Sequence, residues 1–64
     1  MYKIQGLKKS GKELDLDYSD YNIAKFEFEC LQLNNISEYL ALYKIEDGAM
    51  QQLDLYINDN NKGE

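Results

Sequence analysis

The chain is 64 residues long and carries a net charge of −5, with seven lysines, no arginine, no histidine and one cysteine, Cys30. That length is near the lower limit for one self-sufficient core, and a lone thiol without histidine builds neither an internal disulfide nor a structural zinc site. An acidic balance without guanidinium forks argues against direct nucleic-acid binding.

The opening stretch, MYKIQGLKKSGK, has no apolar segment of the kind a signal peptide needs. Instead Tyr2 and Ile4 alternate with Lys3 and Gln5, which predicts a first strand running to about Leu7. The polar turn KKSGK follows. Leu14, Leu16 and Tyr18 then alternate with Glu13, Asp15 and Asp17, the pattern of a half-buried strand. These two segments make a first hairpin.

Residues 20–34 admit two readings. As a strand, Ala24, Phe26, Phe28 and Cys30 share a face, but Leu31 and Leu33 then fall on the other. As a helix, Ser19 serves as N-cap with Asp20 in the first turn. Ile23, Ala24, Phe26, Phe28, Cys30, Leu31 and Leu33 then form one broad apolar arc, and Asn34-Asn35 provides the stop. Glu27 falls inside that arc and is the point in favour of a strand. The scarcity of β-branched residues after Ile23 favours the helix. Beyond it, EYLALYKI and QQLDLYI flank Asp47-Gly48, a strong hairpin signal. Residues 58–64, NDNNKGE, read as a flexible polar tail after a single domain over residues 1–57.

The expected fold is therefore α+β: a four-stranded antiparallel-type sheet from two hairpins, with one helix on one face (ββαββ). The alternative is an all-β five-stranded meander or small barrel. The run IAKFEFECLQLNNISEYLALYKIEDG, in which a helix leads into a YLALYKI-x-DG strand and turn, resembles small β-β-α-β-β proteins of unknown function from phages and prophages of low-GC Gram-positive bacteria. The likeness spans roughly residues 13 to 57 and rests on packing residues. It implies the same fold and carries over no catalytic residue.

Two motifs invite a chemical reading and fail it. Gly6-Leu7-Lys8-Lys9-Ser10-Gly11-Lys12 matches GxxxxGK, but a phosphate-binding loop needs Ser or Thr next and must open a helix. Here Glu13 follows and a strand continues. Asp15-x-Asp17-x-Ser19 starts like a calcium loop, yet Asp20 and Phe26 occupy the positions that require Gly and Glu. Cys30 has no histidine to activate it, and no constellation meets the requirements of an active site. The expectation is a non-enzymatic protein with no cofactor and no metal. No apolar run approaches the ~20 residues of a membrane span, so a cytoplasmic location without a membrane partner is expected.

Two surfaces remain as candidates. Glu13, Asp15 and Asp17, continued by Asp20, form an acidic face whose ~6.6–6.8 Å spacing along a strand is of the order of successive nucleic-acid phosphates. That permits mimicry of nucleic acid toward a host DNA-handling or defence enzyme. The other surface lies on the third strand, where Tyr39, Tyr43 and Ile45 occupy one face and Leu40 and Leu42 the other. One helix covers one face only, so Tyr39, Tyr43, Ile45 and, from the last strand, Tyr56 are expected to form an interface. The function expected is a small acidic interaction module, a homodimer through one sheet face, with a possible host protein as further partner.

Overall fold

Turn chemistry sets the frame. Asp47 and Gly48 adopt left-handed φ values of 54° and 79°, the pair that a two-residue type I′ hairpin turn requires. The first hairpin closes more loosely, with Gly11 at φ 96° and the Lys8 amide donating to the Lys12 carbonyl at 2.8 Å. The computed structural model describes residues 1–58. Within them the elements are β1 (Tyr2–Lys8), β2 (Glu13–Tyr18), α1 (Tyr21–Asn34), β3 (Ser37–Glu46) and β4 (Ala49–Ile57). The four strands form one sheet in the order β2-β1-β3-β4, and every neighbouring pair is antiparallel. This is the expected ββαββ arrangement. Residues 21–34 are helical, which overturns the meander alternative.

The helix begins one residue later than the sequence suggests. Asp20, not Ser19, is the N-cap, and its side chain accepts from the Ile23 amide at 3.1 Å. Both residue types are good caps, so chemistry alone does not choose between neighbours. At the other end Asn35 takes the left-handed conformation, φ 57°, and its amide donates to the Gln32 carbonyl, as expected for a stop at Asn34-Asn35.

The core lies between α1 and one face of the sheet. Ala24 and Phe28 meet Ile4, Leu40 and Leu42, all five fully buried, with Tyr2, Leu14, Leu16, Tyr18, Leu31 and Tyr56 packed around them. The apolar arc expected on the helix is in fact two stripes. Ala24, Phe28 and Leu31 point inward, whereas Ile23, Phe26 and Leu33 are exposed. Glu27, awkward in a single arc, is half-buried between the two stripes. It faces Tyr18, whose phenol is pushed above its ordinary pKa first by burial and then by this carboxylate.

Two backbone details lock the strands. Gly6 on β1 lies so close to β3 that an added Cβ would fall 2.4 Å from the Tyr39 carbonyl oxygen, so only glycine fits there. A β-bulge interrupts the β3–β4 pairing between Leu42 and Tyr43: Tyr43 opposes Gln52 and Leu42 opposes Asp54, leaving Leu53 as the extra residue. Asn58, expected to begin a flexible tail, is instead buried. Its side-chain amide donates to Asn35 Oδ1 at 2.8 Å and to the Ser37 carbonyl at 3.1 Å, and its backbone amide donates to Glu38. The buried amide thus finds acceptors that hold the chain past the end of β4. Residues 59–64 of the expected tail lie outside the described residues.

Candidate interaction surface

Cross-strand partners share a face of a sheet, so the register defines the side that the helix leaves open. Three rows cross it. Asp17, Lys3, Tyr43 and Gln52 form the first; Asp15, Gln5, Ala41 and Leu55 the second; Glu13, Leu7, Tyr39 and Ile57 the third. Ile45 opposite Met50 extends the surface toward the hairpin tip. The face is divided lengthwise, carboxylates on β2 and apolar groups on β3 and β4, with the mixed residues of β1 between them.

The acidic half differs from the expected row. Lys3 reaches across from β1 and binds both Asp15, at 2.7 Å, and Asp17, at 2.9 Å. Those two hydrogen bonds hold the ammonium above its usual pKa. One cation against three carboxylates dilutes the charge that a phosphate mimic needs. Asp20 does not continue the row, because its carboxylate caps α1. These two observations weigh against the mimicry reading. A shallow hollow of about 230 Å3 beside Gln5, Glu13, Asp15 and Tyr39 holds carboxylates and a phenol. Among the described residues no three acidic or sulfur side chains cluster as a metal would require.

The apolar half is larger than expected and composed differently. Tyr39 is exposed, and Tyr43 and Ile45 are half-buried beside it. Ala41 between them is only 3% exposed. Tyr56 is not part of this surface: it pairs with Leu40 and packs against the core under α1. Its place is taken by Leu55 and Ile57, 49% and 58% exposed, with Met50 further along.

The bulge at Leu53 explains the exchange. A regular two-residue hairpin with Glu46 opposite Ala49 would set Tyr39 opposite Tyr56. One extra residue moves Ile57 into that position, and a one-residue slip turns every later side chain to the other face. The inward-turned residues of β4 are then Asp54 and Tyr56. Asp54 meets Lys25 of α1 at 3.1 Å. The Lys25 ammonium and the Leu55 amide hold its carboxyl below the ordinary value, and Lys25 is raised in turn. The alternation of Leu53, Leu55 and Ile57 was visible in the sequence, but only the inward partners of Asp54 and Tyr56 reveal that this row faces out.

The arrangement offers a firm, sheet-borne apolar surface bordered by charge, which is suited to covering by another macromolecule. No helix among the described residues is long and apolar enough to cross a membrane. Comparison of the chain with protein-family models, curated proteins and solved structures found no match.

Proposed function

We propose that this chain is a non-catalytic interaction module that pairs with a second copy of itself through the β3–β4 half of the open sheet face. The observation that carries the reading is the outward setting of Leu55 and Ile57. An edge strand with a free choice of face would bury these residues, whereas β4 turns them away from the only helix in the described chain. Together with Tyr39, Tyr43, Ile45 and Met50 they form an apolar surface of several hundred Å2, the upper range for a solitary chain.

The division of the face favours a second copy as occupant. A two-fold contact centred on β3 and β4 lays apolar groups on apolar groups. The carboxylates of β2 stand two strands away from β3, roughly 10 Å at ~4.8 Å per strand, so like charges need not meet. A 64-residue chain without staples gains the burial that its own core does not supply. Modulation of a host protein, the role that the likeness to phage proteins implies, would then fall to surfaces the dimer leaves free.

Light scattering on purified protein tests the reading. At ~100 µM, well above the micromolar range typical of modest interfaces, the mass should be twice the 7.5 kDa of one chain. Leu55→Glu with Ile57→Glu should return it to a single chain with unchanged circular dichroism. Asp15→Lys with Asp17→Lys should leave the dimer intact. A wild-type mass of one chain, or a dimer indifferent to the β4 substitutions, overturns the proposal.

A further inference from the structure

The outer surface of α1 carries a second apolar feature that the sheet-face contact does not use. Ile23, Phe26, Cys30 and Leu33 follow one another at intervals of three, four and three residues, the spacing of a helix-pairing seam. Phe26 is 63% and Leu33 84% exposed. At 100° per residue these four side chains gather on the side of the helix opposite Ala24, Phe28 and Leu31. The stripe adds on the order of 400 Å2 of apolar surface, by itself a patch of functional size.

Charge decides what can cover it. The same helical geometry sets Glu27 along one flank of the stripe and Glu29 along the other, with Asn22 and Asn34 at the ends. Lys25 is the helix's one cation; it is turned to Asp54 at 3.1 Å, and Glu29 on its own flank is the weakest of its charge partners. The seam is thus framed by carboxylates on both sides. Packing two copies of this helix against each other, parallel or antiparallel, sets Glu27 and Glu29 beside acids of the other copy, and like charges at flanking positions oppose pairing.

We infer that the outer stripe of α1 is a docking site for an amphipathic α-helix of a partner protein, with apolar residues at three- and four-residue spacing and Lys or Arg on its flanks. Such a helix packs its apolar seam on Ile23, Phe26 and Leu33 while its cations meet Glu27 and Glu29. The site is independent of the sheet-face dimer and is left open by it, since helix and open face lie on opposite sides of the sheet. A dimer would present the stripe twice, and two linked sites raise the apparent affinity for a bivalent partner.

The test uses two synthetic helical peptides about three heptads long, both with leucine at the seam positions. One carries lysine and the other glutamate at the flanks. Calorimetric titration of the full chain should show binding of the lysine peptide and binding at least about tenfold weaker for the glutamate peptide. Amide shifts of the labelled protein should centre on residues 23–33. Phe26→Ala with Leu33→Ala should weaken the lysine peptide about tenfold or more; both residues are exposed, so the fold should survive, with circular dichroism as the check. Glu27→Lys with Glu29→Lys should reverse the preference between peptides. Failure of the lysine peptide to bind, equal binding of both peptides, or an unreversed preference overturns the inference. So does loss of the dimer mass in Phe26→Ala with Leu33→Ala, which would make the stripe the self-association surface instead.

Discussion

The two edge strands obey opposite rules. On β2 the apolar residues Leu14, Leu16 and Tyr18 turn toward the helix, and Glu13, Asp15 and Asp17 turn out. That is how an antiparallel sheet with one wet face is ordinarily written, and outward charge also discourages another chain from adding to the edge. On β4 the sense is reversed. Asp54 and Tyr56 turn in, while Leu55 and Ile57 turn out. One sheet and one helix serve both strands, so the difference is not a consequence of the fold. It arises from a single extra residue, Leu53, and it leaves charge facing out on one edge and apolar groups facing out on the other.

The comparison presupposes that both edges hang on one core, and the largest expected effect tests that. Phe28 is fully buried and meets Ile4 of the first hairpin and Leu40 and Leu42 of the second. Phe28→Ala should cost about 3–5 kcal/mol through lost burial and the cavity left behind, enough to unfold a chain of this size under ordinary conditions. Urea titrations of the wild type followed by far-ultraviolet circular dichroism and by tyrosine fluorescence should lose both hairpins in one coincident transition. Separate transitions would mean that β2 and β4 belong to different cooperative units.

Gly6 tests the seam between the halves. At Gly6 the backbone of β1, neighbour of the acidic edge, lies tightly against β3, neighbour of the apolar edge. Gly6→Ala would press a methyl group on the Tyr39 carbonyl and the Leu40 side chain. The expected cost is about 1–3 kcal/mol, the usual range for overpacking. Because Tyr39 lies on the open face, the displaced backbone should also weaken the proposed self-association. Chemical denaturation at a concentration far below that of dimer formation, compared with the same titration above it, separates the two effects.

Much of this was legible in the residues, and the remainder failed for identifiable reasons. Turns and alternation are local, so the Asp47-Gly48 turn, the β2 strand and the stop at Asn35 could be read directly. The residues of the open face on β3, Tyr39, Tyr43 and Ile45, follow from parity alone. Parity carried across the hairpin puts Tyr56 on the wrong face, because a bulge has no reliable local signature. Asp20 reads as part of the acidic face because sequence spacing does not distinguish a strand's next residue from a helix cap. The helix is the favoured of two readings for residues 20–34, yet its apolar residues read as one arc. Only the position of the sheet separates Ala24 and Phe28 from Phe26 and Leu33.

The smallest expected effect concerns the inward polar contact of β4, where the reversed edge differs most in chemistry from β2. Asp54 titrates below the ordinary carboxylate value, chiefly through the Lys25 ammonium and then the Leu55 amide. A carboxyl depressed in the folded state contributes stability that is present above its unfolded pKa and is lost as pH falls through the lower folded value. The Asp54→Asn variant should therefore have a lower urea midpoint than the wild type at pH 7, and the gap should close as the pH is lowered from about 4 toward 2. The bridge is open to solvent, so the gap should be small and should shrink further in salt. A gap that persists unchanged at pH 2 would assign the loss to packing of the side chain and not to its charge. The inward turn of β4 would then rest on Tyr56 and the bulge alone.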